Sequence, residues 1–473
     1  MDGSTGFRPA GSLDIRTALL PYRGPWTERQ AGHLLRRAGF GGSRDDVARL
    51  VAMGMDHAVD RLLDLSPAAG LPQQPDGPLA WQQPMARRAT YLAMAGWWLD
   101  RMLTSPCPLQ EKMALFYHGH FTSAVFQKGI RPLEMIDQIN LYRRMALGNV
   151  KDLTHQVFRD PAMMRYLDTV SSSAQHPNEN FARELMELFT MGHGNGYTED
   201  DVRESARAFT GYTLQGGRFA DRGTFIVVPR RHDDGPKTFL GRTGRWNGDD
   251  IIDIIYEQAA TPRFLASKLL QYFLYWDPEP ELVDAYAQVL KRNDWHVSAF
   301  MSTLLRSRLF YSDRAYRALV KSPVEFVIGA LQMIKRTTLP EPAPLVAAMT
   351  RMGQTLFLPP NVAGWPGGAA WINSATMLAR QNFADAVAMT PMISDPTEYV
   401  PGIGDGDPHA LAGSIVDLVV QGDASPDQRA RIAAYLAGAD DAAGRSGLNE
   451  ENRQQRVRGA VYLAMATPAY QLA

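Results

Sequence analysis

The densest run of groups able to do chemistry is NENFARELMELFTMGHG, which begins at Asn178. On an α-helix Asn180, Glu184 and Glu187 stand at i, i+4 and i+7 and share one face, with Asn178 just ahead and Arg183 beside the stripe. Phe181, Leu185, Met186, Leu188 and Phe189 flank it, so the two carboxylates are expected to be partly buried. A buried carboxylate needs a cation, a metal or a proton. Two readings follow. Arg183 reaches Glu187 or Glu179 at i±4, and Arg203 and Arg207 on the next helix can pack across, which makes an ion-pair network without catalysis. Alternatively, Glu184 or Glu187 is a general base or a metal ligand.

Three further segments carry candidate groups. In YHGHFTS, Gly119 separates His118 from His120 and suggests a helix end, where two imidazoles can meet one ion. The bland alternative is one structural and one exposed histidine. Joined to Glu184 and Glu187, they would suit a divalent ion with open positions, such as Zn, Mn or Fe. In RRHDDGPKTFLG, Asp233-Asp234-Gly235-Pro236 is a turn signal. The turn offers His232 for proton transfer and Lys237 as an anion contact, unless it is a turn and nothing more. In PPNVAGWPGGAAWINS, Trp365 and Trp371 with Asn361 and Asn373 could stack on and hydrogen-bond a sugar or another flat ligand, or simply pack as a closing loop. No Gly-rich run has phosphate-loop spacing after a strand, and no G-x-S-x-G occurs.

The elements that must position these groups read as mostly α. The pattern predicts a large multi-helix, bundle-like domain over 27–392, with a small β-hairpin insert at 213–247, where TFIVV and KTFLG alternate with turns. Residues 1–26 read as a loose arm and 393–473 as a helical C-terminal extension packed on the main domain. Ser43 and Thr198 are N-cap signals. The ends VFRDPAMMRYL, LLRSRLFYS and MATPAYQLA echo one another weakly, but no fixed repeat period appears.

The 473 residues are enough for a large core. Forty-nine Lys and Arg against 50 Asp and Glu give a net charge of −1, so nothing draws the chain generically to nucleic acid. Cys107 is the single cysteine, which excludes an internal disulfide and thiolate-rich metal sites. No run of about 18 apolar residues predicts a membrane span, and the start lacks the pattern of an ordinary signal peptide.

The stretches HLLRRAGFGGS, KMALFYHGHFTS, NENFARELMELFTMG with GYTEDDVRESARAFTGY, HDDGPKTFLG, FLASKLLQYF, KSPVEFVIGAL and PPNVAGWPGGAAWINSATMLARQNF together resemble the bacterial family catalogued as domain of unknown function 1800. The resemblance covers roughly residues 28–390, more loosely to the end. It places the family pattern on His118, His120, Asn178, Glu179, Asn180, Arg183, Glu184, Glu187, His232, Lys237, Asn361, Trp365 and Trp371, with variation implied at His193. It implies no settled activity. It does imply a neighbouring-gene partner resembling phosphatases and sulfatases and bearing a twin-arginine signal. The chain would then be cytoplasmic, or exported folded with that partner.

Two functions stand against each other. The chain is a metal-assisted or acid/base hydrolase or transferase acting on a saccharide or phosphorylated or sulfated substrate, with the three polar segments converging in one cleft. Or it is a non-catalytic assembly or chaperone partner whose polar helix is a structural ion-pair network.

Overall fold

The computed structural model describes residues 14–68, 70, 73–77, 79–216, 220–390, 395–404, 407–438, 448 and 452–473. Most of the N-terminal arm expected from the sequence, residues 1–13, lies outside them. From residue 14 onward the chain is tied to the body. The Tyr22 amide donates to the Arg306 carbonyl at 2.8 Å and the Trp26 indole to the Leu50 carbonyl at 2.9 Å.

The chain is 60% helical, as the periodicity predicts. Helix starts follow local chemistry. Ser43, Thr198 and Ser322 each accept from the third residue of their helix, whose carboxylate returns the bond, and Pro opens many of the others. The expected β insert at 213–247 is present as two small antiparallel pairs: Tyr212–Gln215 with Thr224–Val227, and Lys237–Phe239 with Arg242–Gly244. Leu240 and Gly241 both take positive φ, 46° and 78°, the backbone of a two-residue hairpin turn. The tail forms three helices of ordinary length, Pro408–Val420, Pro426–Ala437 and Arg453–Met465, then a short Pro468–Gln471. Arg453–Met465 packs on Ser374–Met389, which joins the tail to the rest.

The helix that matters most to the site is Pro108–His120, which packs against Glu28–Ala38, Pro84–Thr104 and Pro132–Arg144. It is buried on all sides, including Glu111, Lys112, His118 and His120. Such a helix is a core element, so its charges must be matched inside the protein. Glu111 accepts from Arg101 Nε at 3.0 Å, Arg143 Nε at 2.9 Å and the Trp98 indole at 3.0 Å. The Lys112 ammonium donates to the Gly39 carbonyl at 2.8 Å and to Glu325. These partners fix the helix's rotation and depth, and so decide where its last turn delivers the histidines.

Candidate functional site

The last turn of that helix opens onto a cavity of about 350 Å³. Phe116 and His120 of the helix form one wall, and Lys268, Gln271 and Tyr272 of the helix Ala260–Phe273 form a second. The Gly-rich loop supplies Trp365 and Trp371, and Trp276 stands at the rim, half-exposed.

Close backbone contact seats the loop. Gly364 has φ +79°, and a Cβ there would lie 2.2 Å from the Gly119 carbonyl oxygen. Glycine is therefore required twice, for conformation and for space. The approach brings Trp365 edge-on to His118, 5.3 Å between ring centroids. Gly367 and Gly368, also at positive φ, leave room for the Trp276 ring, which a Cβ at either would meet at 2.9 Å. The glycines that separate the tryptophans in the sequence are thus what lets the indoles line a cavity.

The two histidines part company. His118 is fully enclosed by Trp98, Phe357 and Trp365, and neither ring nitrogen has a hydrogen-bond partner. Burial pushes its pKa down to about 3, so it is neutral. His120 stacks on Phe116 and lines the cavity, with Nε2 2.9 Å from the Phe189 carbonyl. A carbonyl accepts only, so Nε2 carries the proton and Nδ1 the lone pair. Burial, with Lys268 adding to it, pushes the His120 pKa down to about 3 as well.

The acids lie elsewhere. The predicted helix is α from Asn180 to Glu184 and π from Leu185 to Thr190, which changes the register at Glu187. Glu184 and Glu187 remain close: burial first and Glu187 second raise the Glu184 pKa. Glu187 meets the exposed His193 at 3.1 Å. Arg183 bonds Glu199 through both terminal nitrogens at 2.7 Å and Glu179 at 3.2 Å. Arg203 and Arg207 do not cross to Glu184 or Glu187. Arg203 pairs with Asp200, and Arg207 with Glu204 and Asp233. The expected metal quartet of His118, His120, Glu184 and Glu187 is therefore not assembled. Among the described residues, no three His, Cys, Asp or Glu side chains are placed to hold a metal ion. The physical reason is the core position of Pro108–His120. It turns one imidazole into an aromatic box and the other onto a carbonyl, while the acids sit on the partly exposed face of a helix whose Leu188 reaches the cavity.

The other expected groups are held by local partners and do not line this cavity. Asn178 accepts from the Asn180 amide at 2.9 Å, and the Asn180 side chain donates to Asp168 at 3.1 Å. His232 Nδ1 meets the Thr210 carbonyl at 2.8 Å. Lys237 is buried, its ammonium on the carbonyls of Asp233 and Gly235, while the Asp233 carboxylate accepts from the Gly235 amide at 2.8 Å to close the turn. Asn361 caps its own loop by accepting from Ala363 at 2.9 Å. Of the residues singled out in the sequence, the cavity gathers His120, Trp365 and Trp371.

Its remaining polar lining is Lys268, Gln271, Ser322, Glu325 and Gln354. Burial pushes the Glu325 carboxyl up, but Lys112 and Ser322 more than offset this and hold it below its ordinary range. Lys268 differs: burial lowers its pKa, and among the described residues no carboxylate pairs with it. A signal for it stood in FLASKLLQYF. Lys268 with Gln271 and Tyr272, at i+3 and i+4, puts one cation and one amide beside an aromatic on a single helix face.

With this fold and site in view, the comparisons with known proteins fall into place. The family described as "Protein of unknown function (DUF1800)" matches residues 33–472, and the chain belongs to that family. No curated protein and no solved structure matches the chain. Among the described residues no helix is long and apolar enough to cross a membrane.

Proposed function

We propose that the protein binds a ring-bearing, anionic ligand in the aromatic cavity, a phosphorylated or sulfated saccharide being the class that fits. The observation that carries this reading is Lys268, a cation with no carboxylate paired to it among the described residues, in a cavity whose walls carry three indole rings and Phe116 beside a few polar groups. Apolar ring faces hold a flat or pyranose-like body, and a few placed polar groups orient it. Gln271 and Gln354 supply amides, and the lone pair of His120 Nδ1 accepts. An ammonium in low-dielectric surroundings favours an anion strongly.

The enzymatic form of the proposal is hydrolysis or group transfer on that ligand. His120 is a poor base, because burial leaves its lone pair little affinity for a proton. The carboxylate among the cavity's lining residues is Glu325, kept ionised by its ion pair with Lys112; it orients a ligand hydroxyl or a water rather than serving as a strong base.

The test is titration of the protein with sulfated, phosphorylated and neutral oligosaccharides, followed by tryptophan fluorescence, with release of sulfate, phosphate or reducing ends measured alongside. Lys268→Met is expected to weaken binding of the anionic ligands about ten- to hundredfold, the worth of a charge-assisted hydrogen bond, and to leave neutral ones nearly unchanged. Trp365→Ala is expected to weaken both. Equal affinity of wild type and Lys268→Met for every anionic ligand would remove the proposal.

A further inference from the structure

The HLLRRAGFGGS and KSPVEFVIGAL segments carry cations that neither the cavity nor the acidic helix uses. Arg36 is buried, its Nη1 donating to Gln421 Oε1 and its Nε and Nη2 without acceptors. Lys321 is buried with its ammonium 3.8 Å from the Tyr470 ring centroid, and among the described residues no carboxylate lies within 4 Å of it. Arg317 and Arg380 stand close by. Arg317 holds Asp423 at 2.5 Å, while Arg380 donates to the Lys321 carbonyl at 2.7 Å and leaves its Nε unpartnered. Glu325, the other carboxylate near this group, is committed to Lys112. Three buried cations, Arg36, Lys321 and Arg380, and the partly buried Arg317 therefore stand around one carboxylate not committed elsewhere, Asp423.

Buried like charges repel, and each loses its hydration. Burial, reinforced by Arg317 and only partly offset by Tyr316 and Asp423, pushes the Arg36 guanidinium down to about 10, and burial with Arg317 and Arg36, partly offset by Glu325, pushes Lys321 well below its ordinary value. Arg36 and Lys321 both line a separate cavity of about 20 Å³, together with Gln421, Tyr470 and otherwise glycine and apolar residues such as Phe40 and Leu418. A space of that size has room for about one water-sized particle, since a single water needs about 10–15 Å³ on the same measure.

We infer that this cavity is a binding site for one monatomic anion, chloride in solution, held between the Arg36 guanidinium and the Lys321 ammonium. The ion completes the charge balance where the N-terminal helix Glu28–Ala38, the segment before Pro323–Met333 and the C-terminal helix Pro408–Val420 meet. It acts as a structural ion, because a ligand bound to the folded state alone stabilises that state by mass action.

The test is thermal unfolding of the full chain at one ionic strength in sodium chloride, sodium bromide and sodium gluconate, gluconate being too large for the hole. Wild type is expected to melt several degrees higher in chloride or bromide than in gluconate. Lys321→Met is expected to melt at the same temperature in all three, and in gluconate above wild type, because an unmatched buried charge has been removed. Crystals of the wild type grown in bromide are expected to show an anomalous peak between Arg36 and Lys321, a readout that does not depend on the variant folding. Equal melting of wild type in the three salts, or bromide crystals without that peak, would overturn the assignment and leave the hole to a water molecule.

Discussion

The helices Pro108–His120 and Asn180–Thr190 both mix acids, cations and large apolar groups, yet the protein uses them in opposite ways. In the first, Glu111 and Lys112 are wholly buried and every charge is answered by a specific partner. In the second, Glu184 and Glu187 are half-buried, repel one another, and leave Arg183 to Glu179 and Glu199. Charge density in a sequence therefore does not locate a site. A charge already matched in the core is scaffold, and a charge pair on a wet face costs little. The group that stands out is Lys268, half-buried beside the aromatic wall with the Phe264 ring below its ammonium and no carboxylate paired to it among the described residues.

Several experiments would break or sharpen that contrast. The largest effect is expected at Glu111. Glu111→Ala strands Arg101 and Arg143 in the core and is expected to lower stability by about 3–5 kcal/mol in urea unfolding. A loss below 1 kcal/mol would mean that the core helix is not held by its charges. Next comes Gly364→Ala, which adds left-handed strain to a backbone clash. We expect a loss of about 1–3 kcal/mol, and weakened quenching of cavity tryptophans by ligand, since Trp365 would be displaced. His118→Phe swaps an imidazole with two unpartnered nitrogens for a ring of similar shape. Its stability should stay within about 1 kcal/mol of wild type or exceed it, because no hydrogen bond is lost. A loss of 3 kcal/mol would reveal a partner for His118.

The acidic helix should respond weakly. Arg183→Ala is expected to cost about 0.2–1 kcal/mol, the range of exposed ion pairs, with the difference shrinking in high salt. Glu184→Gln carries the smallest effect and a definite sign. Burial and Glu187 raise the folded-state pKa, so folding opposes ionisation of Glu184. That penalty is absent while the carboxyl is protonated in both states. It sets in as pH rises through the ordinary carboxylate range and is complete above the raised folded value. The variant should therefore gain at most about 0.5 kcal/mol at pH 7, solvent screening included, and nothing near pH 3. A gain that grew toward acid pH would reverse the assignment.

Much of the scaffold was legible in the residues. Helix periodicity, Ser43 and Thr198 as caps, the strand-and-turn alternation of 213–247 and the Pro/Gly/Trp loop all act through local backbone chemistry, which neighbours in sequence decide. The Asn180, Glu184, Glu187 stripe was legible as a pattern, but its geometry was not. The π turn at Leu185–Thr190 is set by packing, Phe189 being buried with its carbonyl on His120. Lys268 carries no decisive local signal, because one lysine on an apolar helix ordinarily reaches solvent along its methylene stem. Nothing adjacent in sequence shows that Trp276 and Trp365 come to stand around it.

By itself, then, the sequence determined the helical class, the family and the residue types available for chemistry, since propensity, capping and motif order reside in short stretches of chain. Which charges are spent on one another, which imidazole faces a cavity and which lysine is left unmatched were decided by the tertiary structure. Those outcomes depend on solvent exclusion and on contacts between segments more than a hundred residues apart, as between Lys112 and Glu325 or Gly119 and Gly364.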